Sequence, residues 1–247
     1  IDPNTPVNLA FFTQTPASAV AGDNFTTMPE VEIQDTYGNR VTTASSSINL
    51  EAHTNGTCSS AAGGAFGVTT SPLATSSGLS SYTGVNYDTE EVIYLRAYDG
   101  TYTEVCSTAV SVIPAPADHI EISAGGTQTI TAGACSAVVT LQTRDQYGNI
   151  TTNQSGGTTV TLSTDSAGGG GTDFYTDVGC TASAGGSVNI ADLSSTTTIY
   201  YKDELAGTPT LTVTVAGFTT QNSDNTGFTI DPDVADHIEF SAGLAQT

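Results

Sequence analysis

Apolar and polar residues alternate over short runs along the whole chain, and clusters of turn-forming residues separate the runs. In the second half the runs are Asp118–Ser123, Ala137–Arg144, Thr158–Ser163, Ser187–Ala191, Thr197–Lys202, Thr210–Val215 and Gly227–Ile230. A period of two sends successive side chains to opposite faces of a strand. The run Thr210-Leu211-Thr212-Val213-Thr214-Val215 shows it most cleanly, with Leu211, Val213 and Val215 facing inward. Seven short strands in roughly 115 residues predict two packed antiparallel sheets with Greek-key connections. A single large barrel is the competing arrangement, and the internal repeat argues against it.

That repeat is visible in several places. Ala117-Asp118-His119-Ile120-Glu121-Ile122-Ser123-Ala124-Gly125 recurs as Ala235-Asp236-His237-Ile238-Glu239-Phe240-Ser241-Ala242-Gly243, and Val7-Asn8-Leu9-Ala10-Phe11 is a weaker cousin. Ile and Pro punctuate each start, at Ile1-Asp2-Pro3, Ile113-Pro114 and Ile230-Asp231-Pro232. Inside the copies, Asp35-Thr36-Tyr37-Gly38-Asn39 matches Asp145-Gln146-Tyr147-Gly148-Asn149. A long fixed period means tandem units. The expected division is a first domain over 1–114, a second over 115–232, and a first strand of a third repeat or a linker over 233–247.

The order Ala132-Gly133, an alternating strand, Asp145-x-Tyr147-Gly148-Asn149 and Val160-x-Leu162 resembles bacterial immunoglobulin-like repeats. Such repeats occur in invasin- and intimin-type adhesins, filamin-like bacterial modules and surface-layer proteins. Tyr200-Tyr201-Lys202-Asp203, followed by Ala206-Gly207 and a further alternating strand, is similar to a later stretch of the same repeats. The resemblance covers nearly the whole chain. It implies an all-β chain of two tandem immunoglobulin-like antiparallel β-sandwiches, plus the first strand of a third. The Gly-rich excursions over 54–80 and 165–186 exceed the usual pattern.

Composition narrows the function. Of 247 residues only 4 are Lys or Arg against 25 Asp and Glu, for a net charge of −21. Phosphate backbones and anionic lipid need basic residues to displace counterions, so nucleic acid is not expected as a partner. No apolar run reaches the length of about 20 residues that spans a bilayer as a helix, so direct membrane insertion is not expected. The sequence opens at Ile1 without a signal-peptide pattern and is read as a mature chain or a fragment. Cysteines fall two per half, and one bridge inside each repeat, Cys58–Cys106 and Cys135–Cys180, is the expected pairing. Oxidised pairs place the chain outside the cell, at the cell surface. Zinc is disfavoured, since no pair has Cys-x-x-Cys spacing.

The motifs carry little chemistry. Gly and Asn in the Asp-x-Tyr-Gly-Asn turn tolerate positive φ, and the Asp carboxylate accepts backbone N–H groups, leaving Tyr37 and Tyr147 to cover the ends of the core. Only His53, His119 and His237 are imidazoles, and two of them share one repeat position. No Gly-x-Ser-x-Gly elbow or His-Glu-x-x-His helix exists, and the absence of Trp removes the aromatic walls of a sugar-cleaving cleft, so no enzyme is expected. Gly168 to Gly171 lacks the Lys-Ser/Thr of a phosphate loop. Lys202 limits any Lys–Asn isopeptide staple to one. Asn24, Asn55, Asn149 and Asn153 sit in glycosylation sequons. No cofactor is required, with Ca²⁺ the one metal considered. Greek-key order would bring Asp88, Glu90, Asp118 and Asp145 together near the domain junction, and Ca²⁺ would relieve their repulsion.

Three roles follow. One is a semi-rigid structural or adhesive spacer in a microbial surface protein, with neighbouring domains as partners. Another is a glycan- or protein-binding adhesin using Tyr82, Tyr87, Tyr94, Tyr98 and Tyr102 against a host or cell-surface molecule. The third is a self-assembling filament or surface-layer subunit, in which the strand Asp236–Ala242 offers Ile238 and Phe240 to an identical subunit or to the next domain.

Overall fold

The computed structural model describes residues 3–152, 156–167, 174–218, 224–225 and 227–235. The chain forms two compact units, one of Ile1–Pro116 with Asp145–Asn149, the other of Ala117–Arg144 with Ile150–Thr247. Every regular element among the described residues is a strand.

The first unit runs β1 (Pro6–Thr13), β2 (Ser18–Val20), β3 (Glu30–Asp35), β4 (Ser47–His53), β5 (Phe66–Gly67), β6 (Leu73–Ala74), β7 (Leu79–Ser81), β8 (Asn86–Tyr87), β9 (Val92–Tyr98), β10 (Val105–Cys106) and β11 (Val110–Ile113). One sheet has the order β1-β3-β7, the other β2-β11-β9-β4-β6, with β10 on β9 and a small β5-β8 ribbon. Alternation sets the faces. In β9, Ile93, Leu95 and Ala97 are buried while Tyr94, Arg96 and Tyr98 lie on the outer side. Val31 and Ile33 of β3 meet Ile48 and Leu50 of β4 in a single core that Tyr82 and Tyr87 complete. Both tyrosines are buried with their hydroxyls bonded, Tyr82 to the Ile48 carbonyl at 2.8 Å, so large rings enter the core without a stranded polar group.

The second unit runs β12 (His119–Ala124), β13 (Gln128–Thr131), β14 (Val139–Arg144), β15 (Thr158–Thr164), β16 (Phe174–Tyr175), β17 (Ser187–Ile190), β18 (Thr196–Tyr201), β19 (Leu211–Val215), β20 (Asp224–Asn225) and β21 (Phe228–Asp231). Its sheets are β12-β14-β18-β16 and β17-β15-β19-β20, with a β13-β21 pair. Leu211, Val213 and Val215 point into the core, as their alternation predicts. Tyr201 sits at its centre, with Phe174 and Phe228 each 5.4 Å away, the latter edge-on.

Each unit is therefore a β-sandwich, with one difference from a purely antiparallel plan. The opening strand is broken, and its second piece pairs in parallel with the last strand: β2 joins β11 in the larger sheet of the first unit, and β13 pairs with β21 in the second. The breaks are chemical. Pro16 cannot donate to a ladder, and Gly125 adopts φ +73° where a Cβ would lie 2.1 Å from the Val138 carbonyl oxygen.

Candidate interaction surface

The two Asp-x-Tyr-Gly-Asn turns are built bond for bond alike. Asp35 Oδ1 accepts the N–H groups of Tyr37 and Asn39, each at 2.9 Å, and Asp145 Oδ1 accepts those of Tyr147 and Asn149 at the same distance. The second oxygen takes a backbone donor from the opening of the chain segment, Asn4 N–H at 2.8 Å for Asp35 and Ala115 N–H at 2.9 Å for Asp145. The Asn side-chain amide closes each ring. Glycine is required at the fourth position, where φ is +80° at Gly38 and +87° at Gly148. Asn4 above all, then Asn39 and Tyr37, hold Asp35 down to about 2 against the opposing effect of burial.

The tyrosines do not cap the cores as the sequence suggests. Tyr37 is 79% exposed and Tyr147 42%. Within the first unit, Tyr147 lies over Gly22, where an added Cβ would be 1.8 Å from its hydroxyl oxygen. Asn149 Nδ2 donates to the Asp88 carbonyl and Asn149 Oδ1 accepts from Glu90 N–H, both at 2.8 Å, which leaves the residue 9% exposed. Asn39, its counterpart, is exposed. Composition could not distinguish two turns of identical pattern; only their surroundings do.

The cysteines form the two expected bridges, Cys58–Cys106 and Cys135–Cys180. The same local devices build both. Cys58 and Cys180 sit at positive φ, 50° and 48°, three residues after Asn55 and Asp177, whose side-chain oxygens gather the turn's N–H groups. Ala182 N–H, with Thr181, draws the Asp177 carboxyl below its ordinary value. The partner cysteine precedes a buried serine in each case. Ser107 Oγ accepts Leu95 N–H at 2.8 Å and donates to Thr108 O; Ser136 Oγ accepts Tyr201 N–H at 2.9 Å and donates to Ala137 O. A glutamine, Gln14 or Gln128, holds the following N–H. Yet the segments are not equivalent, since Cys106 precedes the last strand and Cys135 precedes β14.

The carboxylates proposed for a junctional cation have other partners. Asp145 spends both oxygens on the turn, Asp88 accepts Ala65 N–H and Thr89 Oγ1, and Asp118 stands 3.6 Å from His119 Nδ1. The Glu90 residue is exposed. Among the described residues no group of three or more His, Cys, Asp or Glu is placed to hold a metal ion. Lys202 Nζ lies 3.9 Å from the Glu204 carboxylate. His237, Asn153, Gly168 to Gly171, and the contact residues Ile238 and Phe240 lie outside the described residues.

No family model matches the chain. No curated protein matches it either. Among solved structures, domains 5-6 of the S-layer protein SbsC align over 93% of this chain and 99% of theirs, at 18% identity and a TM-score of 0.31. The Yersinia pseudotuberculosis adhesin InvE aligns over 95% and 65%, at 15% and 0.35. The D00-D0 domain of intimin aligns over 88% and 97%, at 13% and 0.36.

The five tyrosines divide between the core and half-buried positions of the first unit. Tyr82 and Tyr87 are core, and burial, with the Glu91 hydrogen bond, pushes the Tyr87 hydroxyl up to about 12. Tyr94, Tyr98 and Tyr102 are half-buried. On the outer face of β4 and β9, Tyr98 donates to Glu51 while Arg96 lies 4.4 Å over its ring and pairs with Glu104. His53, buried at the end of β4, approaches Glu51 at 3.6 Å. That set is an ordinary cross-strand charge network.

Proposed function

We propose that the chain is a non-enzymatic structural or adhesive module of a microbial extracellular protein, its units serving as spacers that carry tension at the cell surface. The observation that carries this reading is the covalent brace in each sandwich. Each bridge closes a long loop, 48 residues in one unit and 45 in the other, across segments distant in sequence. Such bridges persist in oxidising compartments and hold a fold together when its ladders are loaded. Surface charge of one sign suits a soluble, non-sticky exterior.

Single-molecule stretching tests the mechanical part. Residues locked inside a bridge cannot extend, so reduction should lengthen the unfolded contour by about 170 Å for the first unit and about 160 Å for the second. Immunogold electron microscopy of the source cells tests the location. Label confined to the cell interior, or extension events that ignore reductant, would end this reading.

A further inference from the structure

The first unit shows what an Asp-x-Tyr-Gly-Asn turn engages, and the second unit offers the same acceptor a second time. In the first unit the acceptor is a glycine floor, Gly22, beside a short backbone loop from Tyr87 to Glu91. Gly22 N–H donates to the Tyr87 carbonyl at 2.9 Å, and Val112 N–H donates to the Glu91 carbonyl at 2.9 Å, which pins both ends of the loop. Between those pins lie the Asp88 carbonyl and Glu90 N–H that Asn149 grips.

The second unit reproduces this frame. Gly133 N–H donates to the Asp203 carbonyl at 2.7 Å, and Ile230 N–H donates to the Gly207 carbonyl at 2.8 Å. The glycines have φ +77° and +82°, each following the strand piece that pairs in parallel with the last strand. The pinned loops have equal length, so Glu204 takes the place of Asp88 and Ala206 that of Glu90. There is one difference. At Gly22 a Cβ would strike Tyr147, whereas at Gly133 a Cβ would meet nothing within 4 Å among the described residues. Glu204, Leu205 and Ala206 are all exposed.

An exposed acceptor and an exposed turn thus occupy one chain. Tyr37 and Asn39 belong to a turn whose internal bonds match those of the engaged one, and Asn39 is exposed where Asn149 is buried. We propose that a second copy of this chain is the partner: the turn Asp35–Asn39 of one copy seats on the Gly133 and Glu204–Ala206 acceptor of another. Tyr37 covers Gly133, Asn39 Nδ2 donates to the Glu204 carbonyl, and Asn39 Oδ1 accepts from Ala206 N–H. Leu205 adds an apolar contact for the tyrosine ring. Turn and acceptor are different surfaces, so the contact is heterologous and propagates head to tail instead of closing as a two-fold dimer. The association is separate from the spacer role: its failure leaves the stretching and labelling results untouched.

Sedimentation velocity of the full chain, from about 10 µM to about 1 mM, reads it directly. The weight-average mass should climb with concentration and pass the dimer value without a plateau. Tyr37→Ser with Asn39→Ala should weaken association at least about tenfold, as truncation of an aromatic and a paired amide at an interface does. Tyr37→Ser alone, at a residue whose ring is largely in water, keeps the turn's backbone bonds and guards against misfolding. Val178→Ala, at an exposed position outside both surfaces, should associate like the parent. Adding the double variant to the parent chain should shorten its oligomers, because the variant accepts a turn but offers none. A parent mass that stays flat to the highest concentration overturns the proposal. So does association that ignores the Tyr37 and Asn39 changes, including the case in which deleting residues after Asp233 abolishes it, which would assign it to strand donation.

Discussion

Removal of the Cys58–Cys106 bridge is the perturbation whose magnitude the structure fixes best. The bridge spans 48 residues, and Cys135–Cys180 spans 45. Chain-entropy arithmetic for loops of this size gives about 4 kcal/mol of unfolded-state restriction at 25 °C for either bridge. The logarithmic dependence makes the two indistinguishable. For a sandwich of roughly 115 residues, 4 kcal/mol corresponds to a fall of roughly 15 °C in Tm. Cys58→Ala with Cys106→Ala leaves no reactive thiol, and burial of the lost sulfurs adds under about 1 kcal/mol more. Hydrogen exchange with mass spectrometry at increasing urea reads the units separately, through peptides from 3–116 and from 117–235. Protection should drop in the first set alone, and the reduced parent should match the variant in that set. A loss below about 1 kcal/mol in the first unit would refute the loop-entropy reasoning there, because the reduced chain would then already be as constrained as the oxidised one.

Further outcomes follow from individual residues. Ser136→Ala removes a side chain that both receives Tyr201 N–H and donates to Ala137 O, at a buried site, and should cost about 1–3 kcal/mol in urea unfolding; Ser107→Ala should cost the same through Leu95. Phe228→Ala empties a fully buried site against Tyr201 and should cost about 3–5 kcal/mol, read as a shift in the urea midpoint of the second unit. Acid should destabilise the first unit: Asp35 is held near 2 when folded against about 3.9 when unfolded, so its contribution is present above about pH 4 and disappears as pH falls toward 2. Asp35→Asn should flatten that part of the pH dependence, and an unchanged slope would show that Asn4, Asn39 and Tyr37 do not set it.

Much of the architecture was legible in the spacing of apolar residues. All seven runs expected in the second half are strands, displaced by one or two residues at their ends, because a half-buried sheet face leaves a period-two record that no local turn can imitate. β13 left no such record. Gln128-Thr129-Ile130-Thr131 offers a single apolar residue, and what makes it a strand is β21, about a hundred residues away and parallel to it. Buried polar residues were equally opaque. Thr143 and Asp203 lie in the interior because their partners are there: Thr143 Oγ1 donates to the Thr151 carbonyl, and Asp203 accepts the Tyr201 hydroxyl at 2.7 Å. A sequence lists donors and acceptors without showing which of them meet. The turns illustrate the same limit: their pattern predicts their internal bonds correctly, while the exposure of Tyr37 depends on what stands beyond it.

The bridges show how covalent reinforcement arises at different points of one architecture. Each Cys–Ser segment lies at the end of a short ladder contact, Cys106 opposite Arg96 and Cys135 opposite Lys202. At each, a serine hydroxyl takes the place of a backbone carbonyl in receiving a strand's N–H, at Leu95 in one unit and Tyr201 in the other. A ladder interrupted in this way loses the geometric rigidity of paired backbone and leans on one rotatable side chain. The adjacent cysteine then ties the segment to a hairpin whose own turn is over-determined by an Asn or Asp side chain and held at positive φ. The bond therefore runs from a segment where a serine hydroxyl interrupts the ladder to a turn held by an Asn or Asp side chain. Because the requirement is local, a buried serine, an Asx-gathered turn and proximity, the two units satisfy it with different strands. Equivalent cysteine positions are not needed for equivalent reinforcement, and a reading that demanded them would have paired these cysteines wrongly.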